Sequence, residues 1–146
     1  MTKILESDIQ EICGRLALYE SELRGKKVLL TGCYGFLGSY FLRVLEKFDC
    51  VVVGMDNFIA TQRTGTQHKN FAFLQHDVSK PFPPDLAMDF DLVIASAGIA
   101  SPKYYSQFPL ETIESAIAGA KNCLEIAKTC QAKILCFSSS EVYSGS

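Results

Sequence analysis

Thr31 to Phe41 reads TGCYGFLGSYF, with glycines at Gly32, Gly35 and Gly38. The apolar run KVLLT (27–31) precedes it. After it, Leu37, Phe41, Leu42, Leu45 and Phe48 recur at helical spacing over Phe36 to Phe48. Three glycines where a strand gives way to a helix have a physical use. The first permits a sharp turn, the second lets backbone approach a ligand with no Cβ in the way, and the third lets the helix pack closely on the strand. The helix then opens with N–H groups that have no partner in the helix and a partial positive charge, which suits phosphate oxygens.

A second strand, CVVVGMD (50–56), ends on Asp56, 18 residues after Gly38. That is close to the separation of about 20 residues expected of a carboxylate that binds a ribose 2′-hydroxyl. A carboxylate there repels a 2′-phosphate, and the nearest cation, Arg63, stands in a loop, so the pattern favours NAD over NADP. A turn with glycines for geometry alone is the plain alternative. An S-adenosylmethionine methyltransferase is another, disfavoured because a full glycine triplet opening a helix suits a dinucleotide better.

Outward from this motif the chain alternates. Strands are expected at 71–77, 90–98 and 132–140, and a long helix from Pro109 to about Cys130. These strands lack polar alternation, as expected of parallel strands covered on both faces. The fold class is therefore α/β, a doubly wound parallel sheet of Rossmann type ending after the fifth strand. Residues 3–23 read as an additional amphipathic helix, with Ser7 and Gln10 placed for a capping box and Arg24-Gly25 ending it. This divides the chain into an N-terminal extension (1–25) and a dinucleotide-binding domain (26–146), the latter without a substrate-binding half.

Composition excludes other classes. The 146 residues are 48% hydrophobic and 21% charged with a net charge of −2, so neither a nucleic-acid surface nor a membrane is expected as partner. No apolar run reaches the ~20 residues of a membrane span, and no secretory leader is visible. The six cysteines form no C-x-x-C pair, and neither His68 nor His76 stands at ligand spacing with them. No metal is expected, and free thiols packed as small apolar groups point to the cytoplasm.

Several ordered motifs carry a resemblance: T-G-x-x-G-F-L-G-S, DNF (56–58), HDV (76–78), ASPKYY (100–105), PLETIESAIAGAKNCLEIAK (109–128) and FSSSEVY (137–143). Over residues 26–145 the chain resembles the extended short-chain dehydrogenase/reductase superfamily, and within it the nucleotide-sugar epimerase/dehydratase/decarboxylase group. The resemblance implies that Gly32, Gly35, Phe36, Leu37 and Gly38 form the pyrophosphate turn. It places Asp56 and Asn57 at the adenosine ribose, Asp77 and Val78 beside the adenine, and Ala97 and Gly98 along the cofactor. It also puts Ser101, Tyr105 and Ser140 at the sugar, Ser139 at proton transfer on the sugar C4, and Glu141 facing the sugar as a second catalytic group. On their residues alone, Ser138–Ser140 is also a polar strand end and Glu141 a solvated loop charge.

Ser140-Glu141 and the ASPKYY segment are more similar to UDP-glucuronate decarboxylases than to the 4,6-dehydratases or 4-epimerases of the group, which remain the alternatives. The implied chemistry is hydride transfer from sugar C4 to NAD, giving a 4-keto sugar that, for a uronic acid, loses CO2 because the new carbonyl accepts the electrons. The family's Tyr-x-x-x-Lys pair is absent: Val44, Phe108 and Pro109 follow Tyr40, Tyr104 and Tyr105 by four residues. The chain is thus similar to the N-terminal, cofactor-binding part of a longer enzyme, without turnover alone. A homodimer is expected from an uncovered sheet edge. A non-catalytic dinucleotide-binding module is the reading from another functional class.

Overall fold

Alternate residues of the KVLLT run face opposite ways, and both ways are buried. The computed structural model describes residues 3–62, 69–86, 89–139 and Tyr143. In it β1 (Lys27–Thr31) sends Val28 and Leu30 into one core and Leu29 into another. A period of two with both faces apolar is what a central parallel strand requires.

Four more strands join it: β2 (Val51–Asp56), β3 (Phe71–Gln75), β4 (Leu92–Ala95) and β5 (Lys133–Cys136). All pair in parallel in the order β3-β2-β1-β4-β5. The chain first builds outward from β1 through β2 to β3, then returns to the other side of β1 with β4. The order therefore reverses between β1 and β4, and the crevice at the carboxyl ends of these two strands is where such sheets take ligands. Double coverage holds for β1 and for most of β2 and β4. It does not hold for β5, whose Lys133, Leu135 and Cys136 are exposed at the sheet edge.

One layer of helix covers each face. On one side lies α3 (Phe36–Lys47), burying Leu42, Val44 and Leu45. The N-terminal segment joins this side as α1 (Lys3–Leu16), a 3₁₀ turn (Ala17–Tyr19) and α2 (Glu20–Leu23) rather than as one helix. The helix tightens at the stretch where nothing is buried and Leu18 stands 88% exposed. Ile9 is buried in the α3 core, and the Tyr40 hydroxyl donates to Asp8 at 2.9 Å.

On the opposite face the 109–130 helix is α5 (Pro109–Glu114), one π turn (Ser115–Gly119) and α6 (Ala120–Cys130). Two side chains back-bond in its first half, Thr112 Oγ1 to the Phe108 carbonyl and Ser115 Oγ to that of Thr112, which competes with the i→i−4 ladder. A short helix, α4 (Pro102–Gln107), precedes it.

Candidate functional site at the switch point

The strand ends that meet at the reversal are tied by hydroxyl groups. Ser96 Oγ donates to the Thr31 carbonyl at 2.6 Å, and Thr31 Oγ1 accepts from the Ala97 N–H at 3.2 Å. Gly32 follows with φ of 66°. A Cβ on it would lie 2.8 Å from the Ala97 Cα, so only glycine lets β1 leave the sheet this close to β4. The Gly32 carbonyl then accepts from the Gly35 N–H at 2.9 Å, and a Cβ on Gly38 would come within 2.0 Å of that same oxygen. Gly38 thus serves the packing of α3 on the turn, while Gly35 lines the cleft above it.

At the start of α3 the first helical acceptor is the Gly35 carbonyl, which takes the Ser39 N–H at 2.9 Å. No side chain caps this end. The N–H groups of Phe36, Leu37 and Gly38 therefore precede the helical ladder, the arrangement that attracts anions.

Asp56 is 6% exposed at the end of β2. Its Oδ2 accepts from the Tyr34 N–H at 3.0 Å, and its Oδ1 accepts from the Phe58 N–H at 2.9 Å and the Thr61 hydroxyl at 2.8 Å. The carboxylate so fastens the glycine turn to the loop after β2. Tyr34, Phe58 and Phe73 stack around this junction with ring centroids 5.1–5.5 Å apart. Cys33, inside the turn, is fully buried, and its thiol is pushed up to about 12 by burial and by the nearby Asp56 charge. Its sulfur occupies room left by Gly54, where a Cβ would meet it at 2.9 Å.

Asp77 lies beyond β3. Burial pushes its carboxyl up, but the Ser79 N–H at 2.9 Å, with Lys80 and His76 nearby, outweighs that and holds it below the usual range. The segment is clasped from the helix side, for Asn122 Nδ2 donates to the Val78 carbonyl at 2.8 Å and the Lys80 carbonyl at 2.9 Å. Gly119 in the π turn lets that helix come close, since a Cβ there would sit 2.8 Å from a Val78 methyl.

Two clefts result. A narrow one of about 70 Å3 is lined by Gly32, Gly35, Asp56, Asn57, Thr61 and Asp77, among others. A wider one of about 440 Å3 runs past Thr31, Leu37 and Ala116 to Ser138 and Ser139. Val78, Ser96, Ala97, Gly98, Ile99 and Ser115 wall both, so the two form one groove along the carboxyl ends of the strands. Cys123 and Cys136 also line the wider part. Burial pushes Cys123 up to about 11, whereas Cys136 is exposed and not packed as an apolar group.

Of the expected site residues, the groove brings together Gly32, Gly35, Leu37, Asp56, Asn57, Asp77, Val78, Ala97, Gly98 and Ser139. Gly38 lies beneath it. Phe36 is 77% exposed and lines a different, apolar groove between α1, α3 and the β4–β5 face. Ser101, at the N-terminus of α4, and Tyr105 line neither cleft. Ser140, Glu141, Arg63 and His68 lie outside the described residues. Sequence reasoning passed over Thr31, Thr61, Ser96, Ser115 and Asn122. Only the first and third had a visible signal, a hydroxyl at the end of each of two adjacent strands.

The groove fits a dinucleotide on its own features. Gly35 has only one close neighbour and Gly98 none within 4 Å, so the two present bare backbone where a side chain would project into the cleft. A buried carboxylate stands at one end and serine hydroxyls at the other. Among the described residues no group of three or more His, Cys, Asp or Glu is placed to hold a metal ion, and no helix is long and apolar enough to cross a membrane.

Comparison with known proteins gives the family and the fold. The sequence profile of the NAD dependent epimerase/dehydratase family matches residues 28–146. UDP-glucuronic acid decarboxylase 2 of Arabidopsis thaliana is 34% identical over 125 residues, covering 82% of this chain and 27% of that protein. UDP-glucuronic acid decarboxylase 1 of Danio rerio is 34% identical over 127 residues, covering 84% and 29%. The chain thus spans under a third of the length of these curated relatives. Among solved structures, the Bordetella bronchiseptica enzyme WbmH in complex with NAD+ superposes with a TM-score of 0.67 at 23% identity. The match covers 83% of this chain and 42% of that one, a likeness of fold.

Proposed function

The chain belongs to the NAD dependent epimerase/dehydratase family, and from that premise we propose a function for its groove. The groove seats NAD in extended form, with adenosine at Asp56 and nicotinamide toward Ser139. Residues 26–146 are the cofactor-binding unit of a nucleotide-sugar enzyme of the UDP-glucuronic acid decarboxylase kind, and residues 1–25 are its N-terminal extension. The observation that carries this is the single groove at the β1–β4 reversal, with bare glycine backbone along it and a buried carboxylate at one end.

When bound, NAD supplies the hydride acceptor for the sugar C4. The protein's own part is placement. The N–H groups at the start of α3 hold the diphosphate, and Asp56 takes a ribose hydroxyl and repels a 2′-phosphate. Asp77 and Val78, clasped by Asn122, wall the adenine. Ser139 offers a hydroxyl where a sugar proton moves. The 146 residues contain no Tyr-x-x-x-Lys pair, so this polypeptide by itself binds without turning over a sugar. The β5 edge, with Leu135 and Phe137 exposed, supports a homodimer.

Calorimetric titration with NAD and NADP tests the assignment. The expected result is NAD binding at least about tenfold tighter than NADP, with no CO2 released from UDP-glucuronate. A hydrogen bond to a charged group contributes about 1.5–3 kcal/mol, so Asp56→Asn weakens NAD by about 10- to 100-fold and NADP by less. Equal weakening of both removes the ribose role from Asp56.

A further inference from the structure

Asp56, the carboxylate at the adenosine end of the groove, is already largely engaged. A carboxylate oxygen has two in-plane lone pairs. Oδ1 uses both, for the Phe58 N–H at 2.9 Å and the Thr61 hydroxyl at 2.8 Å, whereas Oδ2 holds only the Tyr34 N–H at 3.0 Å. Two of these donors are backbone groups of residues locked in the Tyr34–Phe58–Phe73 aromatic cluster. The third is of another kind. Thr61 presents a side-chain hydroxyl from a half-buried loop position, and it lines the narrow cleft together with Asp56. A hydroxyl lying on a carboxylate oxygen inside that cleft has the chemistry of a ribose hydroxyl.

We propose that Thr61 is a specificity-determining residue whose hydroxyl fills the acceptor position on Asp56 Oδ1 that one hydroxyl of a ribose 2′,3′-diol would take. A diol grips a carboxylate best through both oxygens. With Thr61 in place only the remaining lone pair of Oδ2 is open, so a nucleoside diphosphate gains the two-point contact only by displacing the threonine. Thr61 thereby lowers the affinity for the ribose and reduces the discrimination between ribose and deoxyribose. The inference rests on the reading of Asp56 as the ribose partner.

Thr61→Val keeps the shape and removes the donor, Thr61→Ala removes donor and bulk, and Thr61→Ser keeps the donor. Calorimetric titration of each purified chain with NAD, ADP and 2′-deoxy-ADP reads the effect, with circular dichroism confirming the fold. Thr61→Val is expected to bind NAD and ADP about three- to tenfold more tightly than the wild type, on the scale of one ordinary hydrogen bond, because the bond gained from the ribose is offset in part by the loss of the loop's own. Its preference for ADP over 2′-deoxy-ADP is expected to rise by a similar factor, and Thr61→Ser is expected to match the wild type. If Thr61→Val does not fold, Thr61→Ala carries the same comparison. Unchanged or weaker ADP binding by a folded valine or alanine variant overturns the proposal while leaving the cofactor reading intact. Failure of the wild-type chain to bind NAD or ADP overturns both.

Discussion

A methyl group on Gly38 would lie 2.0 Å from the Gly32 carbonyl oxygen and 2.8 Å from the Cys33 Cα, both backbone atoms that cannot step aside. One on Gly98 would meet nothing within 4 Å. The pair separates packing from ligand approach. Gly38→Ala is expected to cost at least about 2 kcal/mol of stability, as overpacking against fixed atoms does. Gly98→Ala is expected to stay within about 0.5 kcal/mol and to weaken NAD binding instead. Urea denaturation with parallel NAD titration checks both, and equal stability of the two variants would contradict the packing role of Gly38. The glycine spacing and the place of Asp56 at the end of β2 were legible in sequence because both follow from backbone geometry at fixed separations. The bond from Thr61 to Asp56 was not, because it depends on how a polar loop folds back, and no periodicity records that. Gly54 could not be read either, since its use is to leave room for the Phe71 ring of the neighbouring strand and for the Cys33 sulfur of the turn.

Elements were legible in proportion to their length and apolar repeat. The strands and the helix over 36–48 were placed to within a few residues, and the helix over 109–130 was seen as continuous. Its π turn leaves no mark on the apolar repeat, and the contacts that accompany it are partly tertiary: Gly119 lies against Val78, and Asn122 reaches across to two carbonyls of the 78–80 segment. The six residues of α4 are too few to show a helical period, and Pro102, at its start, also reads as a turn signal. The clasp gives a prediction at this scale. Asn122→Ala leaves the Val78 and Lys80 carbonyls without those donors, at a cost of about 1–2 kcal/mol. Amide exchange of residues 78–80 is expected to quicken and NAD binding to weaken while α6 keeps its protection. Unchanged exchange at 78–80 would show that the clasp does not hold the groove wall.

Over the whole molecule, the sheet order β3-β2-β1-β4-β5 makes the site possible. A reversal between β1 and β4 opens a crevice at their carboxyl ends, and the loops after β1, β2, β3, β4 and β5 all send residues to it. The doubly wound parallel class was legible from strand-helix alternation, whereas the order in which the strands pair comes from the structure alone. The coverage of β5 was not, since an apolar strand run looks the same whether or not a helix lies over it. The substrate end of the site was legible only through resemblance, and Ser140 and Glu141 rest on it still.

The most direct test of the central claim is a crystal structure of this chain grown with saturating NAD. The adenosine ribose is expected within hydrogen-bond distance of Asp56, the diphosphate over Gly35 at the start of α3, and the nicotinamide toward Ser139. An intact five-stranded sheet with the dinucleotide elsewhere, or with none in the groove, would contradict the account.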